Sequence, residues 1–146
     1  MSLPPVGNNL PRVVAAASGV LTRDEADGVY VAQADHPLYA QRAMLTYTDT
    51  TAKNLFTLPA GAQIVDFKIH VKTAFDAGSS NVVDLGDGTT ANRFVNDAAL
   101  GTPGLTLVAP ADDAVLSAAT VIRGVYVPGG PPATAGVGTI TVDYIL

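Results

Sequence analysis

Along residues 62 to 73, Ala-Gln-Ile-Val-Asp-Phe-Lys-Ile-His-Val-Lys-Thr, apolar and polar positions alternate. Period two predicts a strand with Val65, Phe67, Ile69 and Val71 on a dry face and Asp66, Lys68, His70 and Lys72 on a wet one. The pattern returns at the end of the chain, where Ile140, Val142, Tyr144 and Leu146 alternate with Thr139, Thr141 and Asp143. One-sided wetting is the mark of antiparallel sheets, and the final residues are expected to lie inside a core strand.

Seven further short runs have the same character: Val29 to Ala32, Ala43 to Thr48, Leu55 to Leu58, Val82 to Leu85, Arg93 to Val95, Leu105 to Val108 and Thr120 to Val127. Between runs sit turn formers, among them Pro59-Ala-Gly61, Ala77-Gly-Ser-Ser80, Asp87-Gly88, Gly101-Thr-Pro-Gly104 and Pro128-Gly-Gly-Pro-Pro132. Many short strands with Gly/Pro turns predict an all-β protein, an antiparallel β-sandwich or jelly roll. Between strands, a short helix is expected only at Asp112 to Ala119.

Residues 1 to 27 break the pattern. They hold Pro4, Pro5, Pro11, Asn8-Asn9 and the small run Ala15-Ala16-Ala17-Ser18-Gly19, and read as an extended N-terminal arm ahead of a sandwich domain at 28 to 146. Leu10, Val13, Val14 and Ala17 have helical spacing for a turn or two. Thr22-Arg-Asp-Glu25 spells a capping box but runs into Asp27-Gly28 rather than an apolar helix.

A chain of 146 residues buries enough surface for one unstapled core. Cysteine is absent, which removes disulfides and thiolate chemistry. The net charge is −5, and the basic residues are scattered singly from Arg12 to Arg123, so direct nucleic-acid binding is not expected. No apolar run reaches the 18 or so residues of a membrane span, and Val13 to Leu21 lacks the basic leader of a secretory signal. Apolar residues make up 48% and charged ones 14%, a surplus that suggests a surface covered by another subunit.

Candidate chemistry is sparse. His36 and His70 have no second ligand at metal-binding spacing, and are read as a turn residue and a wet-face strand residue. Ser2, Ser18, Ser79, Ser80 and Ser117 lie in no nucleophile elbow. Asp84-Leu-Gly-Asp87-Gly-Thr-Thr-Ala-Asn92-Arg-Phe94 could offer Asp84, Asp87 and Asn92 to a cation, but lacks the order and closing glutamate of an EF-hand. Asp87-Gly88 also fits a tight hairpin turn, the preferred reading. Asp112 and Asp113 are adjacent and point apart, as in a solvated turn or helix start. Tyr30, Tyr39, Tyr47 and Tyr126 are expected at the core edge or an interface, and the absence of tryptophan weakens a sugar-stacking reading. No catalytic, cofactor or metal residue is assigned, and no enzyme activity is expected.

Three segments carry a family resemblance: Leu58-Pro-Ala-Gly-Ala-Gln-Ile-Val-Asp-Phe-Lys-Ile-His-Val-Lys-Thr-Ala-Phe75, Val83-Asp-Leu-Gly-Asp-Gly-Thr-Thr-Ala-Asn-Arg-Phe-Val-Asn-Asp-Ala-Ala-Leu100, and Gly138-Thr-Ile-Thr-Val-Asp-Tyr144. Their order resembles the capsid cement or head decoration proteins of tailed bacteriophages. There a proline-glycine turn feeds the longest strand, a glycine-rich turn precedes an Arg/Tyr-Phe segment, and a strand ending in Tyr closes a jelly roll. The resemblance spans residues from about 43 to 146. It implies a structural virion protein that binds the outside of the capsid and cements major capsid subunits, acting as a homo-oligomer, dimer or trimer, with arms reaching neighbours. It also implies a place on the capsid surface after synthesis in the bacterial host cytoplasm. The competing expectation is a tail or fibre receptor-binding or lectin-like β-sandwich module.

Overall fold

In the computed structural model the alternating runs become strands in two four-stranded antiparallel sheets. The structure describes residues 37–146 in full, and the backbone of 21–23 and 30–32. The chain divides into two units, residues 1–36 and 37–146. In the first, β1 (Leu21–Arg23) pairs antiparallel with β2 (Tyr30–Ala32), setting Thr22 opposite Val31. The capping-box spelling at Thr22 thus begins in a strand. The expected helical turn at Leu10 to Ala17 and the turn at His36 lie outside the described residues.

The second unit contains β3 (Tyr39–Thr46), β4 (Lys53–Leu58), β5 (Gln63–Thr73), β6 (Ser80–Gly86), β7 (Val95–Ala99), β8 (Gly104–Val108), β9 (Thr120–Gly129) and β10 (Val137–Ile145). One sheet runs β3-β10-β5-β8 and the other β4-β9-β6-β7. Every connection except β6 to β7 crosses between sheets, so the two sheets interleave as the Greek keys of a jelly roll. The all-β sandwich read from period and punctuation is the fold observed.

Both inner faces meet in a dry core. Leu45, Phe67, Ile69, Val71, Ile140 and Val142 from one sheet pack against Phe56, Leu58, Val83, Leu85, Ile122 and Tyr126 from the other. Phe67 and Phe94 lie with ring centroids 6.4 Å apart, and Phe75 and Tyr126 with centroids 4.8 Å apart and tilted. Tyr126 is a core residue rather than an edge one: it is buried, its hydroxyl bonds Asn81 Oδ1, and burial pushes its phenol above the ordinary value.

The alternation in β5 changes phase near its start, and a second register break lies at its far end, between Val71 and Thr73. Asp66 pairs with Asp143 but Ile64 pairs with Tyr144, so Val65 is an extra residue, a β-bulge. Ile64 is therefore buried and Val65, expected in the core, is 45% exposed. At the other terminus β10 ends at Ile145, and Leu146 is exposed rather than in the core strand.

The helix expected over Asp112 to Ala119 does not form; the segment has no regular structure. Its backbone is committed elsewhere: Leu116 N–H donates to Ala62 (2.8 Å), and Leu116 C=O accepts from Gly61 N–H (2.7 Å). A helix would need those groups for bonds four residues away. The segment is instead laced to the β4–β5 turn, where Gly61 adopts φ +88°. Likewise β7 begins at Val95, because Arg93 is held by side-chain bonds in the preceding loop.

Candidate functional site

The outward face of the β3-β10-β5-β8 sheet is assembled by its register. Across the strands run three rows: Met44, Thr139, His70 and Leu105; Arg42, Thr141, Lys68 and Leu107; and Ala40, Asp143 and Asp66. Arg42, Lys68, His70, Leu105, Thr139 and Thr141 line a depression of about 320 Å³ on this face. Met44, Leu105 and Leu107 are each about 60% exposed around it. It joins cationic groups to bare aliphatic surface, a combination suited to contact with a macromolecule.

The face is not uniformly wet. Asp143, placed by alternation among the solvated residues, is buried and bonded to the Lys68 ammonium. That bond, opposed by burial, raises Lys68 above the ordinary lysine value. Asp66, directly across from Asp143, adds to the field on Lys68, and its Oδ1 is buried with no hydrogen-bond donor. His70 stands exposed in the next row, on the polar face that its position predicts.

Asp84, Asp87 and Asn92 each bond a different partner. Asp84 Oδ1 accepts from Asp97 N–H (2.8 Å), and Asn92 Nδ2 donates to Asn96 Oδ1 (2.7 Å). Asp87 Oδ1 accepts from Thr89 and Thr90 N–H (both 2.7 Å), while its Oδ2 takes Arg93 Nη1 (2.9 Å). Those amide bonds and the guanidinium hold Asp87 down at about 2. The chain does reverse at Asp87, but through a side-chain-capped loop with Asp87 N–H on Thr90 C=O, and Gly88 lacks the positive φ of a two-residue hairpin.

Arg93 also donates through Nε to Asp112 Oδ2 (2.7 Å) and lies over the Phe94 ring. It thereby ties the β6–β7 loop to the β8–β9 loop, and lowers the Asp112 carboxyl. The neighbouring Asp113 accepts from Gln63 Nε2 through its backbone carbonyl (3.2 Å). Asp76, which the sequence did not single out, clamps the β9–β10 loop through Thr134 and Ala135. Of the tyrosines, Tyr39 stacks on Tyr144 at 5.4 Å, and Tyr47 packs at the core margin.

Leu105 and Leu107 are the residues of this face whose direction the sequence alone conceals most. An alternating Leu-Thr-Leu run ordinarily turns its leucines inward, but pairing with His70 and Lys68 turns these outward.

No protein-family model and no curated protein matches this sequence. Solved structures do match in fold. A chain in the Cyanophage Pam1 capsid asymmetric unit superposes with TM-score 0.63 at 15% identity, over 92% of this chain and 99% of that one. A chain in the acidic stable capsid structure of Helicobacter pylori bacteriophage KHP30 gives TM-score 0.59 at 24% identity, over 76% and 90% of the two chains. One in the capsid of Ralstonia phage GP4 gives 0.50 at 21%, over 75% and 84%. The chain shares its fold with chains found in three phage capsid structures.

Proposed function

We propose that this chain is a structural virion protein that binds the outer surface of a phage capsid and cements neighbouring major capsid subunits. The observation that carries the reading is the end-to-end likeness to the Pam1 capsid chain, which leaves almost no part of either chain unmatched. The mixed basic and aliphatic face of the β3-β10-β5-β8 sheet supports it, since such a surface gains from burial against another protein. On this reading residues 1 to 27 are an arm that reaches a neighbour, residues 28 to 146 are the domain that sits on the shell, and the chain performs no reaction. Attachment buries on the order of 1,000 Å² or more per contact and tolerates moderate salt, because screening acts on charge and not on burial.

The test is cryo-electron microscopy of the purified virion, together with add-back of the protein to capsids that lack it. Density over joints between major capsid subunits, and a rise in the temperature at which the shell opens, are the expected results. Density confined to tail or fibre would replace this reading with the receptor-binding one, and absence from the particle would end both.

A further inference from the structure

Each of the two sheets ends in two edge strands, and three of the four edges carry features that oppose pairing with another chain. Strand β3 presents Arg42. Strand β4 presents Lys53 and has a register break between Asn54 and Phe56. Strand β7 holds Asp97 at φ 55° beside a break between Val83 and Leu85. Among the described residues strand β8 carries no charge and no register break, and its one positive φ, +139° at Gly104, falls at its first residue. It pairs with β5 without interruption from Gly104 to Val108, and no charged residue occurs from Ala98 to Ala111.

We propose that β8 is the seam of a two-fold dimer, in which β8 of one copy pairs antiparallel with β8 of a second copy and joins the two β3-β10-β5-β8 sheets. This gives a geometry to the homo-oligomer that the family resemblance implies, and does not depend on a capsid. The occupant is a second copy because the strand complements itself. Its five residues overlap in full only when Thr106 lies on the two-fold axis, and that register sets Leu105 opposite Leu107 of the partner. Four leucines, each 63% exposed in the single chain, then cover one another on the outer face.

Charge favours the same occupant. Two chains of net charge −5 repel generally, and an uncharged strand is where they can approach. In the joined sheet Lys68 and the second copy's His70 share a row but stand three strand spacings apart, roughly 14 Å. That exceeds the screening length of about 8 Å at physiological salt. A five-residue seam is smaller than a standard interface of about 800 Å² per partner, so the dimer should be reversible and concentration-dependent.

The experiment uses the purified full chain without capsids, so its outcome is independent of shell binding. Sedimentation velocity over a concentration series should show monomer and dimer, and Leu105→Lys with Leu107→Lys should weaken association at least tenfold while the circular dichroism melt is unchanged. The protein has no cysteine, so single cysteines report the register. Thr106→Cys should oxidise to a covalent dimer, because directly opposed residues lie about 4.5–5.5 Å apart at Cα, within disulfide range. Leu105→Cys should not, being diagonal to itself. A strictly monomeric chain, an oligomer unaffected by the two lysines, or equal cross-linking of both cysteine variants would overturn the proposal. Should the lysine variant misfold, the cysteine pair decides alone.

Discussion

Asp66 and Asp143 stand directly opposite each other in the β5–β10 ladder, two carboxylates with the Lys68 ammonium beside them. Like charges at facing positions repel, so the lysine is what permits the buried Asp143 at that point in the sheet.

Lys68→Ala should therefore destabilise the protein clearly more than Lys72→Ala, although both are lysines on the same strand face. Adding Asp143→Asn to Lys68→Ala should restore part of the loss, because it removes the stranded charge. Urea melts of the three variants beside the parent protein measure this. Equal effects of the two lysine substitutions would mean that the pair contributes nothing.

The bulge makes a sharp prediction within one strand. Phe67→Ala should cost about 3–5 kcal/mol, since the ring is fully buried and leaves a cavity. Val65→Ala, two residues earlier, should change stability by no more than about 0.5 kcal/mol. Similar losses at both positions would put Val65 back in the core.

Acid should loosen the β6–β7 loop. The Asp87 carboxyl is lowered from 3.8 to about 2, first by the Thr90 amide, then by Arg93 and the Thr89 amide. A depressed carboxyl stabilises the fold above its unfolded value, and that contribution disappears as pH falls from about 4 towards 2. Asp87→Asn should lower stability at pH 7 and flatten the fall between pH 4 and 2. Denaturation midpoints of both proteins across that range are the check, and parallel pH curves would contradict it.

Two glycines separate steric from conformational need. A Cβ on Gly86 would lie 1.9 Å from the Thr90 carbonyl oxygen, backbone that cannot turn aside, so Gly86→Ala should cost about 3 kcal/mol or more. At Gly61 the space is open and only the φ of +88° resists, so Gly61→Ala should cost about 1–2 kcal/mol. Thermal melts that reverse this order would show that the loop after β6 can give way.

Strand existence, the antiparallel sandwich and most of its core were legible in the chain because they rest on local rules. Period-two alternation marks Phe67, Ile69, Val71, Ile140 and Val142 wherever the strands end up, and Gly and Pro mark the reversals. What failed locally did so for tertiary reasons. Val65 left the core because a bulge, set by how β5 meets β10, shifts the phase by one residue. The helix at Asp112 was lost because Leu116 bonds to residues more than fifty positions away, at Gly61 and Ala62. Arg93 became a clamp between two loops rather than a strand residue by the same kind of distant contact.

The outer face shows the division most plainly. The identities of Arg42, Lys68, Leu105 and Thr141 are written in the chain, and so is the uncharged run around β8. That they form one surface, with leucines turned outward at an unguarded edge, was decided by the strand order β3-β10-β5-β8. Sheet register joins residues far apart in sequence through backbone bonds that are the same for every side chain, so alternation supplies the faces and only tertiary pairing chooses their neighbours.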